Sequence, residues 1–221
     1  MTITFQNTGV DDIEASGDAF PTLPSGWQAG DIHICIVVSH DNVSSTMPAG
    51  WTAIDAGTTN GGSLITSCFY RRAVAGDTDP TVTHSGGAQI TATIAGYRGC
   101  ISTGSPIDVA GITSTNASST ITASAITTVT DNAMVLFFGG IYASLGQATT
   151  ISGYSGTPTP TERIDAPNVT DYPEECLADF ILSPAGSTGT RTATATNAGV
   201  NNGLMFALGP PPVLTIMEFM T

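Results

Sequence analysis

The sequence predicts an all-β protein: a two-sheet antiparallel β-sandwich, jelly-roll-like, of roughly ten to twelve strands with an extended C-terminal tail. Three observations carry that expectation. Short apolar or alternating runs recur at strand length along the 221 residues. Turn formers separate them, with 25 glycines and 13 prolines spread through the chain. No segment shows the 3.6-residue apolar period of an amphipathic helix.

Ile3-Thr4-Phe5-Gln6 alternates and reads as a first short strand, followed by a long irregular connection. Asp31 to His40 comes next, with Ile32, Ile34, Ile36 and Val38 on one side and Cys35 and Val37 on the other, so both faces should be buried. Pro24-Ser25-Gly26-Trp27 and Pro48-Ala49-Gly50-Trp51 read as turns that each anchor a tryptophan. Trp51–Ala56 and Ser63–Val74 flank GTTNGG, where Asn60-Gly61 is a hairpin signal. The second of these places Leu64, Cys68 and Tyr70 on one face and Ile65, Phe69 and Arg71 on the other.

TVTH, residues 81–84, reads as a short strand, and Ala88–Tyr97 as another with Ile90, Ala92 and Ile94 on one face. Ser102–Ala117 is turn-rich. The small side chains of STITASAITT, 119–128, suit an outer or edge strand. Ala133–Tyr142 is a second deeply buried strand, in which Gly139-Gly140 suggests a bulge or bend. Residues 146–176 are the least regular; Leu177–Ser183, Thr190–Asn197 and Gly203–Gly209 complete the strands. Residues 1–209 thus read as one domain. Pro210-Pro211-Pro212 then opens an arm, 210–221, whose end VLTIMEFMT is apolar and suited either to packing in cis or to strand addition on a neighbouring subunit.

Charged residues are only 10% of the chain, and its five cations, all arginine, face 18 Asp and Glu for a net charge of −13. Such a field repels phosphate backbones and anionic bilayers, so neither nucleic acid nor membrane is expected as a partner. The N-terminus lacks a basic segment followed by an apolar one, and a soluble protein starting near Met1 is expected. Cys35, Cys68, Cys100 and Cys176 are widely spaced without a C-x-x-C and read as free buried thiols.

His33, His40 and His84 lack metal-site spacing. His40-Asp41 beside several serines has the composition of a catalytic triad but no nucleophile elbow, and reads as a surface loop. Carboxylates gather at Asp11-Asp12-Ile13-Glu14, at Asp77-Thr78-Asp79, and at Glu174-Glu175 with Asp179, without EF-hand spacing. No catalytic residue, metal ligand or cofactor is assigned, and the chain is not read as an enzyme. Tyr70 with Arg71 and Arg72, and Tyr97 with Arg98, set aromatics beside the rare cations. They suit strand-end pairs with Asp and Glu, sugar or carboxylate binding, or a subunit interface.

GDIHICIVVSH, PAGWT at 48–52, FYRRAVAGD at 69–77, AGYRG at 95–99 and SPIDVAG at 105–111 occur in an order and spacing that resembles a β-sandwich family of tailed-bacteriophage virion proteins. The likeness spans about residues 28–140 and has no counterpart for 146–221. It implies a virion structural component assembled in the host cytoplasm, with no family catalytic residues. The expected function is capsid decoration, a cement protein binding capsid proteins as a homo-oligomer, expected to be a trimer. The interaction residues would be Val213, Leu214, Ile216 and Phe219 of the arm with Arg71, Arg72 and Arg98. A glycan-binding tail-fibre or adhesion module, using loops Asp41–Met47 and Thr58–Gly62, is the alternative; a sandwich glycoside hydrolase is the third reading.

Overall fold

Strand β3, Ile32–Ser39, is buried along its whole length and sits at the centre of the first of two antiparallel sheets. The computed structural model describes residues 2–144, 146–167 and 169–212. The first sheet comes from the N-terminal half: β1 (Thr4–Thr8), β2 (Asp12–Glu14), β3, β4 (Thr52–Asn60), β5 (Leu64–Arg72) and β6 (Ile90–Arg98). Its order is β1-β6-β3-β5-β4, with β2 also on β6. The second comprises β7 (Ile107–Ala110), β8 (Ser114–Ala123), β9 (Ala133–Tyr142), β10 (Ile151–Ser152), β11 (Thr161–Ala166), β12 (Glu174–Leu182) and β13 (Arg191–Leu208). Its order is β10-β13-β9-β12-β11, with β7 and β8 against β13. The two-sheet sandwich is as expected, with 13 strands among the described residues in place of ten to twelve. One sheet is finished before the other begins, so the jelly-roll likeness extends to the sandwich and not to strand order.

Three apolar layers result. Ile32, Ile34, Ile36 and Val38 meet Leu136, Phe138, Leu204 and Phe206 between the sheets. The opposite side of β3, Cys35 and Val37, is covered by Ala19, Val82, Leu23, Met47 and Trp51 from loops outside the first sheet. On the other face of the second sheet, Val135, Phe137 and Met205 pack with Ile121 of β8, Ile151 of β10 and Ile126. Both sheets are therefore covered on both faces, which explains why β3 and β9 are apolar at both parities.

Several expectations need correction. Gly139 and Gly140 make no bulge: β9 keeps continuous register with β12 and β13 through both. They permit close packing instead, since a Cβ at Gly140 would lie 2.6 Å from Thr66 Cγ2 and 2.8 Å from Val38 Cγ2 across the sandwich. Thr190–Asn197 and Gly203–Gly209 belong to one strand, β13, whose pairing with β8 shifts between Thr194 and Gly199. β8 follows that bend, and the hydroxyls of Ser114 and Ser124 meet at 2.9 Å. β7 and the start of β8 fall in the turn-rich 102–117, and β10 and β11 in the irregular 146–176. TVTH forms only single bridges, Val82 to Ala19 and Thr83 to Thr46. The Asn60-Gly61 hairpin is present, with Gly61 and Gly62 at φ of 61° and 71°. All four cysteines are free and buried.

A polar seam crosses the sandwich interior. Thr91, Thr93 and Tyr97 of β6 donate from their hydroxyls to Pro173 O, Glu175 Oε1 and Asp179 Oδ2, each pair 82 residues apart. The constant offset shows β6 and β12 facing one another in parallel alignment. Arg163 closes the seam with two 2.9 Å bonds to Asp179, its guanidinium 4.5 Å from the Phe5 ring centre.

Candidate functional site

The loops outside the first sheet bring together His84, Trp51 and a cavity at the end of β5. Residues 81–84 lie between the segments around Ala19 and Thr46, bridged to each. His84 fastens this layer: its backbone N–H donates to Asp18 Oδ1 at 2.9 Å, Nε2 lies 3.0 Å from Asp41 Oδ2, and Nδ1 lies 3.3 Å from Ser45 Oγ. A carboxylate only accepts, so it selects the Nε2–H tautomer and leaves Nδ1 to accept the serine proton. Asp41 Oδ1 accepts from Ser39 Oγ at 3.0 Å and Val43 N–H at 2.9 Å.

The composition is that of a Ser-His-Asp triad, but Ser45 and His84 are 3% and 2% exposed. Gly86 closes over the Asp41–His84 contact, for a Cβ there would lie 2.0 Å from Asp41 Oδ2 and 2.3 Å from His84 Nε2. A nucleophile needs room for its substrate; this cluster instead clamps loop 41–47 to residues 82–86. The sequence named Asp41 with His40, whereas the partner is His84, 43 residues on. His40 stacks on Tyr142, ring centres 3.5 Å apart, and contacts Gln89.

His33 is fully buried on β3, edge-on to Trp27, with no hydrogen-bond partner for either ring nitrogen among the described residues. Burial lowers its pKa below the usual 6.5, outweighing the attraction of Asp77 and Asp31. Arg71 bonds Asp77 through Nε and Nη2 and donates from Nη1 to Ala49 O at 2.9 Å. Burial pushes the Asp77 carboxyl up, but Arg71 and the Val74 N–H outweigh it and its pKa is lowered. Arg98 holds Asp31 at 2.7 and 2.8 Å and also reaches Gly26 O. Arg72 donates to Gly104 O at 3.3 Å. Arg71 and Arg98 thus pair with carboxylates at strand ends, and Arg72 with a carbonyl. Val213, Leu214, Ile216 and Phe219 lie outside the described residues.

Loop Asp41–Met47 and the hairpin end Thr58–Gly62 adjoin: a Cβ on Gly57 would lie 2.8 Å from Ser44 Oγ. Among the described residues no group of three or more His, Cys, Asp or Glu is placed to hold a metal ion. Glu175 is fully buried and Asp179 is held by Arg163.

The cavity, about 410 Å³, is walled by Pro48, Ala49 and Trp51 on one side and by Arg71 and residues 76–81 on the other. Its walls are tied together by the Arg71 bonds to Ala49 and Asp77. Gly50, at φ 94°, is required where Arg71 crosses it, because a Cβ there would lie 2.3 Å from Arg71 Nη1. Sequence reading marked PAGW as a turn and Asp77-Thr78-Asp79 as a gathering of carboxylates, without joining them.

These features define a two-sheet β-sandwich with a loop layer clamped over one face. Compared with known protein families, curated proteins and solved structures, the chain matches none.

Proposed function

We propose that this chain is a bacteriophage virion structural protein, a capsid decoration protein that binds capsid proteins as a homo-oligomer and stabilises the shell. One observation carries the reading furthest. Among the described residues, both sheets and all three apolar layers are assembled from residues up to Leu208, and Pro210–Pro212 then border a surface cavity with Thr2 and Val129. The apolar sequence VLTIMEFMT that follows lies outside the described residues; its pattern suits packing in cis or strand addition on a neighbouring subunit, and the proposal takes the second. All five arginines make bonds within the chain, which fits a rigid building block. The ordered motifs from GDIHICIVVSH to SPIDVAG support the virion setting.

The test compares the full chain with residues 1–209 by light scattering and by co-sedimentation with virions. The full chain should be oligomeric and bind in high copy number, and the truncated chain should be a folded monomer that does not bind. Undiminished assembly and binding by the truncated chain would defeat the proposal.

A further inference from the structure

We infer that the cavity between Pro48–Trp51 and Gly76–Thr81 is a binding site for a neutral saccharide. The inference goes beyond the virion reading and does not depend on it. Its physical basis starts with what the walls offer. Trp51 is half-buried: it packs against the outer apolar layer of the first sheet while lining the cavity. An indole fixed in this way, with few rotamers left to lose, presents a flat apolar surface to the C–H face of a sugar ring.

Opposite it stand groups that match ring hydroxyls. Asp79 uses Oδ1 to accept from Leu23 N–H at 2.7 Å, which fixes the carboxylate and leaves Oδ2 to accept from a ligand. Thr78 and Thr81 line the same wall, and a threonine hydroxyl can both donate and accept. A volume of about 410 Å³ lies in the range of small-ligand sites, roughly 300–1,000 Å³.

Charge decides the class of sugar. The cation on the wall is Arg71, whose Nε, Nη1 and Nη2 are already engaged by Asp77 and Ala49 O. Its charge is matched by Asp77, while Asp79 and the net charge of −13 repel a carboxylate or phosphate. A cationic ligand would meet Trp51 and Asp79 favourably but lies against the Arg71 guanidinium. A neutral polyhydroxy ring suffers neither repulsion. The walls are also held in place before binding, by the Arg71 bridge from Ala49 to Asp77 and by the Val74 N–H bond to Asp77 at 2.9 Å. That lowers the ordering cost on binding.

The test is NMR titration of the full-length protein, whose two tryptophans give two indole N–H signals, assigned with Trp27→Phe and Trp51→Phe. The probes are cellobiose, maltotriose, lactose, mannobiose and N,N′-diacetylchitobiose, with glucuronic acid and choline as charged controls. At least one neutral saccharide should shift the Trp51 signal saturably and leave Trp27 in place, with glucuronic acid and choline binding at least tenfold more weakly. Trp51→Ala should weaken binding at least tenfold. Asp79→Ala, in an exposed turn, should weaken it severalfold without loss of fold, and serves if Trp51→Ala does not fold. Parallel sedimentation with insoluble cellulose and chitin separates a polymer surface from a free oligosaccharide as the source. The inference is overturned if none of the neutral saccharides shifts Trp51, if binding survives Asp79→Ala unchanged, or if choline binds more tightly than every sugar.

Discussion

Glu175 offers a quantitative handle on the sandwich interior. Its carboxyl lies in the seam between β6 and β12, fully buried, with Oε1 accepting from Thr93 Oγ1 and Oε2 without a partner among the described residues. Burial raises its pKa well above the usual 4.5; the Thr93 hydroxyl opposes the shift, while Asp11 and Glu174 add to it. The folded protein therefore keeps a proton that the unfolded chain releases. Because the folded state binds more protons, the stability this group contributes is greatest below pH 4.5 and falls as pH rises. Each pH unit costs about 1.4 kcal/mol while the folded carboxyl remains protonated.

Glu175→Gln removes this dependence. The amide oxygen retains the Thr93 hydrogen bond, and the amide N–H groups take the place of Oε2, at a desolvation cost of about 1–3 kcal/mol that does not vary with pH. The diagnostic is consequently the slope and not the absolute difference. Urea unfolding of both proteins should show the variant gaining on the wild type as pH rises from 5.5 to 7.5, at up to about 1.4 kcal/mol for each pH unit over which the folded carboxyl stays protonated. All other titrating groups cancel in that difference. A difference that stays constant over the range would mean that Glu175 ionises equally in both states, and the account of a dry seam would be wrong.

Other regions give independent tests. His33 has the opposite sign: its folded pKa lies below 6.5, so stability is present above that pH and is lost as pH falls, and His33→Phe should reduce the loss in denaturant titrations from pH 7 to 5. Gly140→Ala should cost about 1–3 kcal/mol by overpacking against Thr66 and Val38, seen as a lower thermal midpoint. His84→Ala should leave both sheets intact but make loop 41–47 a preferred site of limited proteolysis, since it removes the contacts to Asp41 and Ser45. Burial raises all four thiols, Cys100 to about 12, so a thiol reagent at pH 8 should label four equivalents only on unfolding.

The layer structure was legible in the sequence because burial on two faces leaves a local mark. Apolar residues at both parities in Ile32–Ser39 and Ala133–Tyr142 required cover on each side, and the cover is present. What local pattern could not carry was distance. Thr93 to Glu175 spans 82 residues and Asp41 to His84 spans 43, so the seam and the clamp have no short-range signature. Gly139-Gly140 misled for a related reason. A glycine pair in a strand signals a bulge or a close neighbour, and only the opposite sheet shows which. The short bridges of TVTH and the 18-residue β13 reflect pairing choices made by partners remote in sequence.

The cavity illustrates how such remote pairings create a site without a motif. Trp51 reaches it from a turn that the sequence marks clearly, but the opposing wall, Thr78 to Thr81, is brought there by Arg71, which joins Ala49 to Asp77. The clamp at His84 and the bond from Leu23 to Asp79 fasten the remaining loops of the same layer. None of these polar ties reaches the apolar contacts between the sheets, where β3 meets β9 and β13. Loop residues lining the cavity can thus change while the sandwich core stays constant. A fold organised in this way separates the packing between the sheets from the loops around the cavity, and substitutions at Thr78 or Thr81 should alter binding with little effect on the unfolding midpoint.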